Sequence, residues 1–428
     1  LPITNPALPD AADQRPILFV NAHYYPDIAA TAHHLTDLAE HMVAAGIPVE
    51  ICTSRGKYVA GRMQADELEV RNGVRINRVR STSHGRGSTV GRLLDYTSFH
   101  LQALRATLGA RKYRGIVFLT TPPLLSFVGW LGRMLRGRRY AIWSMDLHPE
   151  AEVAAGMLRR SSPLGRLLFW ANGAGYRDAD FVIALGPYMR ERILSSGARV
   201  HAERVEIVPV WVDGNEIAPT PRAENPLVNE LGLEGKFVVA YIGNAGLAHD
   251  FDDLLDAMRE LRDHPRIFFL FIGDGPQRAR IEAFAAKHGM KNFLYRDYYP
   301  RERINSVYGL ADVHVVTLGA PFVGIAIPTK CYVSMATARP VLFVGPERSE
   351  TADAIRSANG GAVVDPALPD ADVRIAALLR AWSDNPAESA AIGERGRAHV
   401  LAHFGREANC RAIESIVSSY WGSTRSAQ

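Results

Sequence analysis

Short apolar runs alternating with stretches of helical periodicity constrain this chain more than any other feature. Ile17–Val20, Val49–Thr53, Ile116–Thr120, Tyr140–Ser144 and Phe181–Ala184 form a first series. Val238–Ile242, Ile267–Ile272, Asn292–Tyr295, Val313–Thr317, Pro340–Val344 and Gly361–Val364 form a second. Runs this apolar suit strands covered on both faces, and the helices between them predict parallel sheets of βαβ units. Between the two series, Val208–Lys236 carries four prolines and no clear period, which marks a linker. A length of 428 residues fits two domains of about 200. The predicted chain is α/β: residues 1–15 a flexible leader, 16–210 an N-terminal Rossmann-like domain, 211–235 a linker, 236–403 a C-terminal Rossmann-like domain, and 404–428 a helix free to pack back across the linker. Two such sheets place a ligand cleft between their carboxyl edges.

Composition narrows the function classes. Lys and Arg number 49 against 45 Asp and Glu, and an excess of +4 points to no nucleic acid. Cys52, Cys331 and Cys410 are far apart and form neither a disulfide ladder nor a metal pair, so a reducing cytoplasm is expected. The longest uncharged stretch, Gly115–Gly132, is cut by Thr120-Thr121-Pro122-Pro123; it reads as a strand, a proline turn and a helix rather than a membrane span. The proline-rich, acid-containing N-terminus lacks the apolar core of a signal peptide.

Candidate site residues sit where strands end. After Ile17–Val20, the loop Asn21–Thr31 puts small residues before a helix, where a ligand can approach the backbone; Tyr25 and Ala30 are its acceptor-side candidates. It lacks the glycine pattern of dinucleotide binding, which argues against a dehydrogenase. In the second half, Gly243-Asn244-Ala245-Gly246 follows Val238–Ile242, and Gly273-Asp274-Gly275-Pro276 follows Ile267–Ile272. Gly243, Asn244 and Asp274 are thus donor-side candidates, although both segments also fit ordinary strand-to-helix turns. Gly324–Lys330 places Thr329 and Lys330 at a helix start, where the lysine adds a full charge to helix-end amides and suits a diphosphate leaving group. A solvated surface lysine is the plainer alternative. Asp146, His148 and Glu150 follow Tyr140–Ser144 and face the predicted cleft; an acid or histidine there can orient a hydroxyl, while His148 also fits a simple surface residue. His23, His33, His34 and His249 show no metal-ligand spacing.

The order of these segments resembles the retaining GT-B glycosyltransferases of family 4, in the bacterial branch that builds O-antigen, capsule or exopolysaccharide. The carriers are the opening Val20–Ser54, Asp146-Leu147-His148-Pro149-Glu150, Ile207–Asp213, Tyr241–Met258, Phe271–Gln277 and Ile327–Glu350. The resemblance implies a GT-B fold, with an N-terminal acceptor domain and a C-terminal donor domain. It also implies transfer of a sugar with retention from a nucleotide diphosphate sugar, a UDP-sugar by the family's commonest base, with no metal and no cofactor. It places the base near Arg296–Pro300, where Tyr298 or Tyr299 could stack on a uracil or instead plug the interdomain surface. Two departures stand out. Val333 occupies the place of the family's ribose-holding glutamate, and the arginine and lysine of the glycine loop are absent. Glu350 is the substitute candidate for the ribose, with helix capping by Ser349-Glu350 as the alternative.

Leu131–Arg139 and Gly156–Trp170 together set seven arginines among leucines, methionines and a tryptophan. Such a surface suits peripheral adhesion to an anionic membrane and a saccharide or lipid-linked acceptor, although two ordinary amphipathic helices would look the same. Two other readings stay open: a GT-B sugar-nucleotide 2-epimerase, and a non-catalytic nucleotide-sugar-binding homologue.

Overall fold

In a computed structural model of the chain, residues 15–27, 29–55, 68–82, 89–109 and 112–422 are described. The expected leader lies almost wholly outside them. Two sheets organise the rest. The first comprises β1 (Ile17–Val20), β2 (Val49–Ser54), β3 (Leu68–Arg71), β4 (Val74–Val79), β5 (Gly115–Leu119), β6 (Tyr140–Trp143), β7 (Val182–Ala184) and β8 (Val205–Ile207). Its order is β3-β4-β2-β1-β5-β6-β7-β8, parallel throughout except for the β3–β4 pair. The second comprises β9 (Phe237–Ile242), β10 (Ile267–Ile272), β11 (Phe293–Arg296), β12 (Val313–Thr317), β13 (Val341–Val344) and β14 (Gly361–Val364). Its order is β11-β10-β9-β12-β13-β14, all parallel. Every residue of β1, β5, β6, β9 and β13 is buried, which is why these strands read as unbroken apolar runs.

Three features depart from the sequence expectation. The hairpin β3–β4 was not anticipated, although Asn72-Gly73 at positive φ (49° and 80°) is the turn pair that suits such a connection. Strand β8 lies inside what looked like the approach to the linker. The linker itself is shorter than residues 211–235: Pro226–Glu230 is helical, and Leu227, Val228 and Leu233 are buried against β9 and β10.

The last helix, Arg406–Trp421, returns to the first domain. Val212 and Gly405 pair where the chain crosses in each direction, with Val212 N–H donating to Phe404 O at 2.9 Å. The helix lies along helix Ala30–Ala44, where His41 and Glu414 meet at 2.9 Å. Its terminal Trp421 is 1% exposed and packs 5.1 Å from Phe181.

Candidate donor and acceptor site

Strand order reverses once in each sheet, between β1 and β5 and between β9 and β12. Connections leave in opposite directions there and open a crevice beyond the carboxyl ends of the strands. In the second sheet the crevice is lined by the loop after β9 and the loop after β12, tied by Gly319 N–H to Ala248 O at 2.8 Å. Gly243 (φ 126°) and Gly273 (φ 141°) stand back to back; a Cβ on Gly273 would lie 2.1 Å from Gly243 O, so no side chain fits. Ala245 N–H donates to Asp274 O at 2.7 Å, which holds the two glycine turns together. The amides of Asn244, Gly246 and Leu247 donate to no described residue.

Lys330 enters this cradle from the helix Lys330–Ala336. Its Nζ hydrogen-bonds Tyr241 Oη, lies 4.0 Å from the Tyr241 ring centroid, and donates to Asn244 O at 3.2 Å. It is also 3.4 Å from His249 Nε2. The opposite ring nitrogen of His249, Nδ1, donates to Thr317 O at 2.6 Å, which leaves Nε2 as the acceptor facing the ammonium. Burial pushes Lys330 down to about 7, and burial with the nearby Lys330 charge pushes His249 down to about 3. Among the described residues no carboxylate pairs with Lys330.

That arrangement makes a prediction. Between about pH 7 and the ordinary lysine range, empty protein holds Lys330 neutral, whereas the unfolded chain holds it charged. The ligand-free fold therefore gains stability as pH rises through that window and is least stable below about 7. A bound diphosphate reverses the balance, so binding at pH 8 takes up a proton. Calorimetry of UDP in buffers of different ionisation enthalpy measures that uptake, and buffer-independent heats would show that the lysine is already charged.

Cys331 N–H donates to Pro328 O at 3.0 Å and Tyr332 N–H to Thr329 O at 3.2 Å, so these amides are already bonded within their own tight turn. The Thr329 hydroxyl caps nothing. Val333 is half-buried in apolar contacts. Glu350, the candidate for the ribose, reaches the first domain: its Oε1 accepts Met189 N–H at 2.9 Å, at the start of helix Pro187–Ser195. Gly186 lets it in, since a Cβ there would lie 2.3 Å from Glu350 Cγ. A carboxylate on helix-end amides is a favourable pairing, and Ser349 caps Glu350's own helix.

Asp274 is exposed at the glycine turn. Tyr298 is 41% exposed beyond β11, near enough to Tyr241 for the two phenols to interact electrostatically, whereas Tyr299 is half-buried beneath Arg303 at 5.3 Å. Of the pair, Tyr298 is the more exposed.

On the acceptor side, the segment after β6 meets the second domain directly, with Leu147 N–H donating to Ile325 O at 2.9 Å, five residues before Lys330. Asp146 is half-buried with its pKa raised by burial. His148 Nδ1 bonds Glu152 Oε1 at 2.8 Å; burial favours its neutral form, but Glu152 and the neighbouring carboxylates outweigh that and raise its pKa. Burial also raises the pKa of Glu150, whose Oε2 is buried without a partner. The Tyr25 ring lies under the Arg71 guanidinium at 3.6 Å, and its carbonyl accepts from Arg78 at 2.8 Å. Ala30 starts its helix exposed. Among the described residues no group of three His, Cys, Asp or Glu side chains could hold a metal ion. Tyr241 and His249, which position Lys330, were missed. The one signal for His249 was a histidine inside a glycine-opened loop just before a helix.

Two Rossmann-like domains with parallel sheets, each opening a crevice at its switch point, make up the GT-B fold. Residues 30–211 match the glycosyl transferase 4-like domain, and residues 226–399 match the glycosyl transferases group 1 domain. The chain belongs to the GT-B glycosyltransferases assembled from these two domains. It is 29% identical over 243 residues to "Probable glycosyltransferase WbjE" of Pseudomonas aeruginosa, a match covering 55% of this chain and 59% of that relative's length. The sucrose-phosphate synthase of Thermosynechococcus elongatus superposes with a TM-score of 0.74 at 19% identity, over 95% of this chain and 98% of that one. HepE of Anabaena, in complex with UDP and glucose, superposes with a TM-score of 0.70 at 15% identity, over 94% and 99%. At these identities the structural likeness speaks for the fold.

Proposed function

We propose that the protein transfers a sugar from a nucleotide diphosphate sugar, a UDP-sugar, to a hydroxyl acceptor with retention, in the synthesis of a bacterial surface polysaccharide or glycoconjugate. The observation that carries this is Lys330, an ammonium without a carboxylate, set against the open amides of the loop after β9. The bond from sugar C1 to the diphosphate oxygen breaks with its electrons passing to the diphosphate, which Lys330 and those amides stabilise. The acceptor oxygen bonds C1 from the same face, and its proton passes to the departing phosphate oxygen. The leaving group thus serves as base, Asp146 and His148 orient the acceptor, and Lys330 supplies the charge without a metal. Tyr298 stacks on the base. The uridine assignment is supported by the family resemblance and by the UDP held in HepE.

The acceptor face is proposed to rest on an anionic membrane. Met134, Leu135, Met157, Leu164, Leu167 and Trp170 are exposed among the arginines of Leu131–Arg139 and Gly156–Trp170. Apolar side chains ringed by guanidiniums suit the interface of anionic lipid. No described helix is long and apolar enough to cross a membrane.

Thermal shift with UDP, GDP, ADP and dTDP tests the donor assignment. A ligand at 100 times its dissociation constant stabilises by about 2.7 kcal/mol. UDP is expected to shift the wild type and to lose most of that shift in Lys330→Ala. A larger shift with another nucleotide would reassign the base, and a shift with none would remove the donor site. Product analysis distinguishes UDP plus a new glycoside from the rearranged sugar nucleotide an epimerase would release.

A further inference from the structure

A cavity of about 380 Å³ opens in the first domain behind Asp146–Glu150, between helix Pro163–Arg177 and the turn Ser196–Arg199. Its size suits a small polar ligand. Arg160, Arg177 and Arg199 line it against a single carboxylate, Glu150. Arg177 is paired with Asp178 at 2.9 Å, so Arg160 and Arg199 carry the charge open to a ligand. Arg160 is fixed in place: its guanidinium lies 4.2 Å over Phe169, and one Nη donates to Ser196 O at 2.8 Å. The Arg199 side chain has no partner among the described residues. Two guanidiniums at the mouth of one cavity favour phosphate, whose oxygens they can each bridge in pairs.

The cavity is not purely polar. Trp170 forms one wall and is 55% exposed, its ring 5.9 Å from both Phe127 and Trp130. Leu164 and Leu167 continue that apolar surface along the same helix. At the inner end, Leu147 and Glu150 connect the cavity with the acceptor segment. Glu150 Oε2 lies buried there without a hydrogen-bond partner.

We infer that this cavity holds the phosphate or diphosphate of a lipid-linked sugar acceptor, gripped by Arg160 and Arg199. Its lipid chain leaves over Trp170, Leu167 and Leu164, and its sugar is presented past Glu150 toward Asp146 and His148. The assignment rests on the acceptor-side reading above, but not on the identity of the donor.

The test uses the full chain with UDP present in excess, which occupies the cradle at Lys330 and keeps a second diphosphate out of it. Farnesyl diphosphate, below its micelle concentration, is titrated by calorimetry beside sodium pyrophosphate and farnesol. Farnesyl diphosphate is expected to bind at least 10-fold more tightly than either fragment. The double substitution Arg160→Gln/Arg199→Gln is expected to weaken it at least 10-fold while leaving the UDP thermal shift unchanged. Trp170→Ala is expected to weaken farnesyl diphosphate and leave pyrophosphate unaltered. Should the double variant not fold, Arg199→Gln alone carries the test, because that side chain holds no described structural contact. Unchanged affinity in the arginine variants would overturn the site. Equal binding of farnesol would reduce it to an apolar patch, and equal binding of pyrophosphate would remove the lipid from the assignment. Loss of UDP binding in the wild type would instead count against the donor reading, so the two failures are told apart.

Discussion

Lys330→Ala is expected to lower kcat by about 10²–10³-fold, the usual consequence of removing one preorganised charge from a developing anion. The loss should appear in kcat and not only in KM, because charge on the leaving diphosphate grows as the bond to sugar C1 breaks. Folding should not suffer. The side chain is held with its pKa depressed by burial, so its charge costs the ligand-free fold stability near neutral pH. Lys330→Ala should therefore melt at or above the wild-type temperature without ligand, and lose the UDP shift. Lys330→Gln separates charge from hydrogen bonding, since an amide can still reach Tyr241 and Asn244 O but carries no charge. If Lys330→Gln kept more than a tenth of wild-type kcat, the electrostatic role would be wrong. A drop in both activity and ligand-free melting temperature would point to Lys330 as a structural residue.

The second large effect is on stability and lies far from the chemistry. Trp421→Ala should cost about 3–5 kcal/mol, the range for emptying a buried aromatic site. For a domain of this size that lowers Tm by roughly 6–20 °C. Trp421 closes the first domain from the far end of the sequence: its ring covers Gly115 at the start of β5 and packs on Phe181, and its Nε1 donates to Asp180 at 2.9 Å. A side chain on Gly115 would lie 2.5 Å from the indole, so the ring sits directly on the strand backbone. The substitution removes packing and leaves the Asp180 carboxylate short of a donor. Differential scanning calorimetry measures the shift; a change below about 1 kcal/mol would mean that the final helix is dispensable to the first domain. Because the helix also lies beside the crossing at Val212 and Gly405, its loosening should weaken the coupling between domains.

Much of the architecture is legible in the residues alone, because it rests on local patterns. Uniformly apolar stretches such as Phe237–Ile242 mark strands covered on both sides, and prolines between the two series mark the domain crossing. Gly243 and Gly273 could be placed at strand ends, and Lys330 at a helix start, by the same reasoning. The hairpin turn Asn72-Gly73 is also written in the sequence, but β3 is only four residues long, Leu68–Arg71, and lies at the sheet edge, too short to stand out as a strand. Tertiary structure decided the rest. Nothing near Glu350 in sequence tells that its carboxylate reaches Met189, 161 residues away. Nor does any local pattern bring Tyr241 and His249, 89 and 81 residues from Lys330, to hold that lysine. Periodicity is a property of neighbours along the chain and survives in the sequence. Which side chain answers a buried charge depends on strand order and domain contact, and only the folded molecule brings those partners within reach.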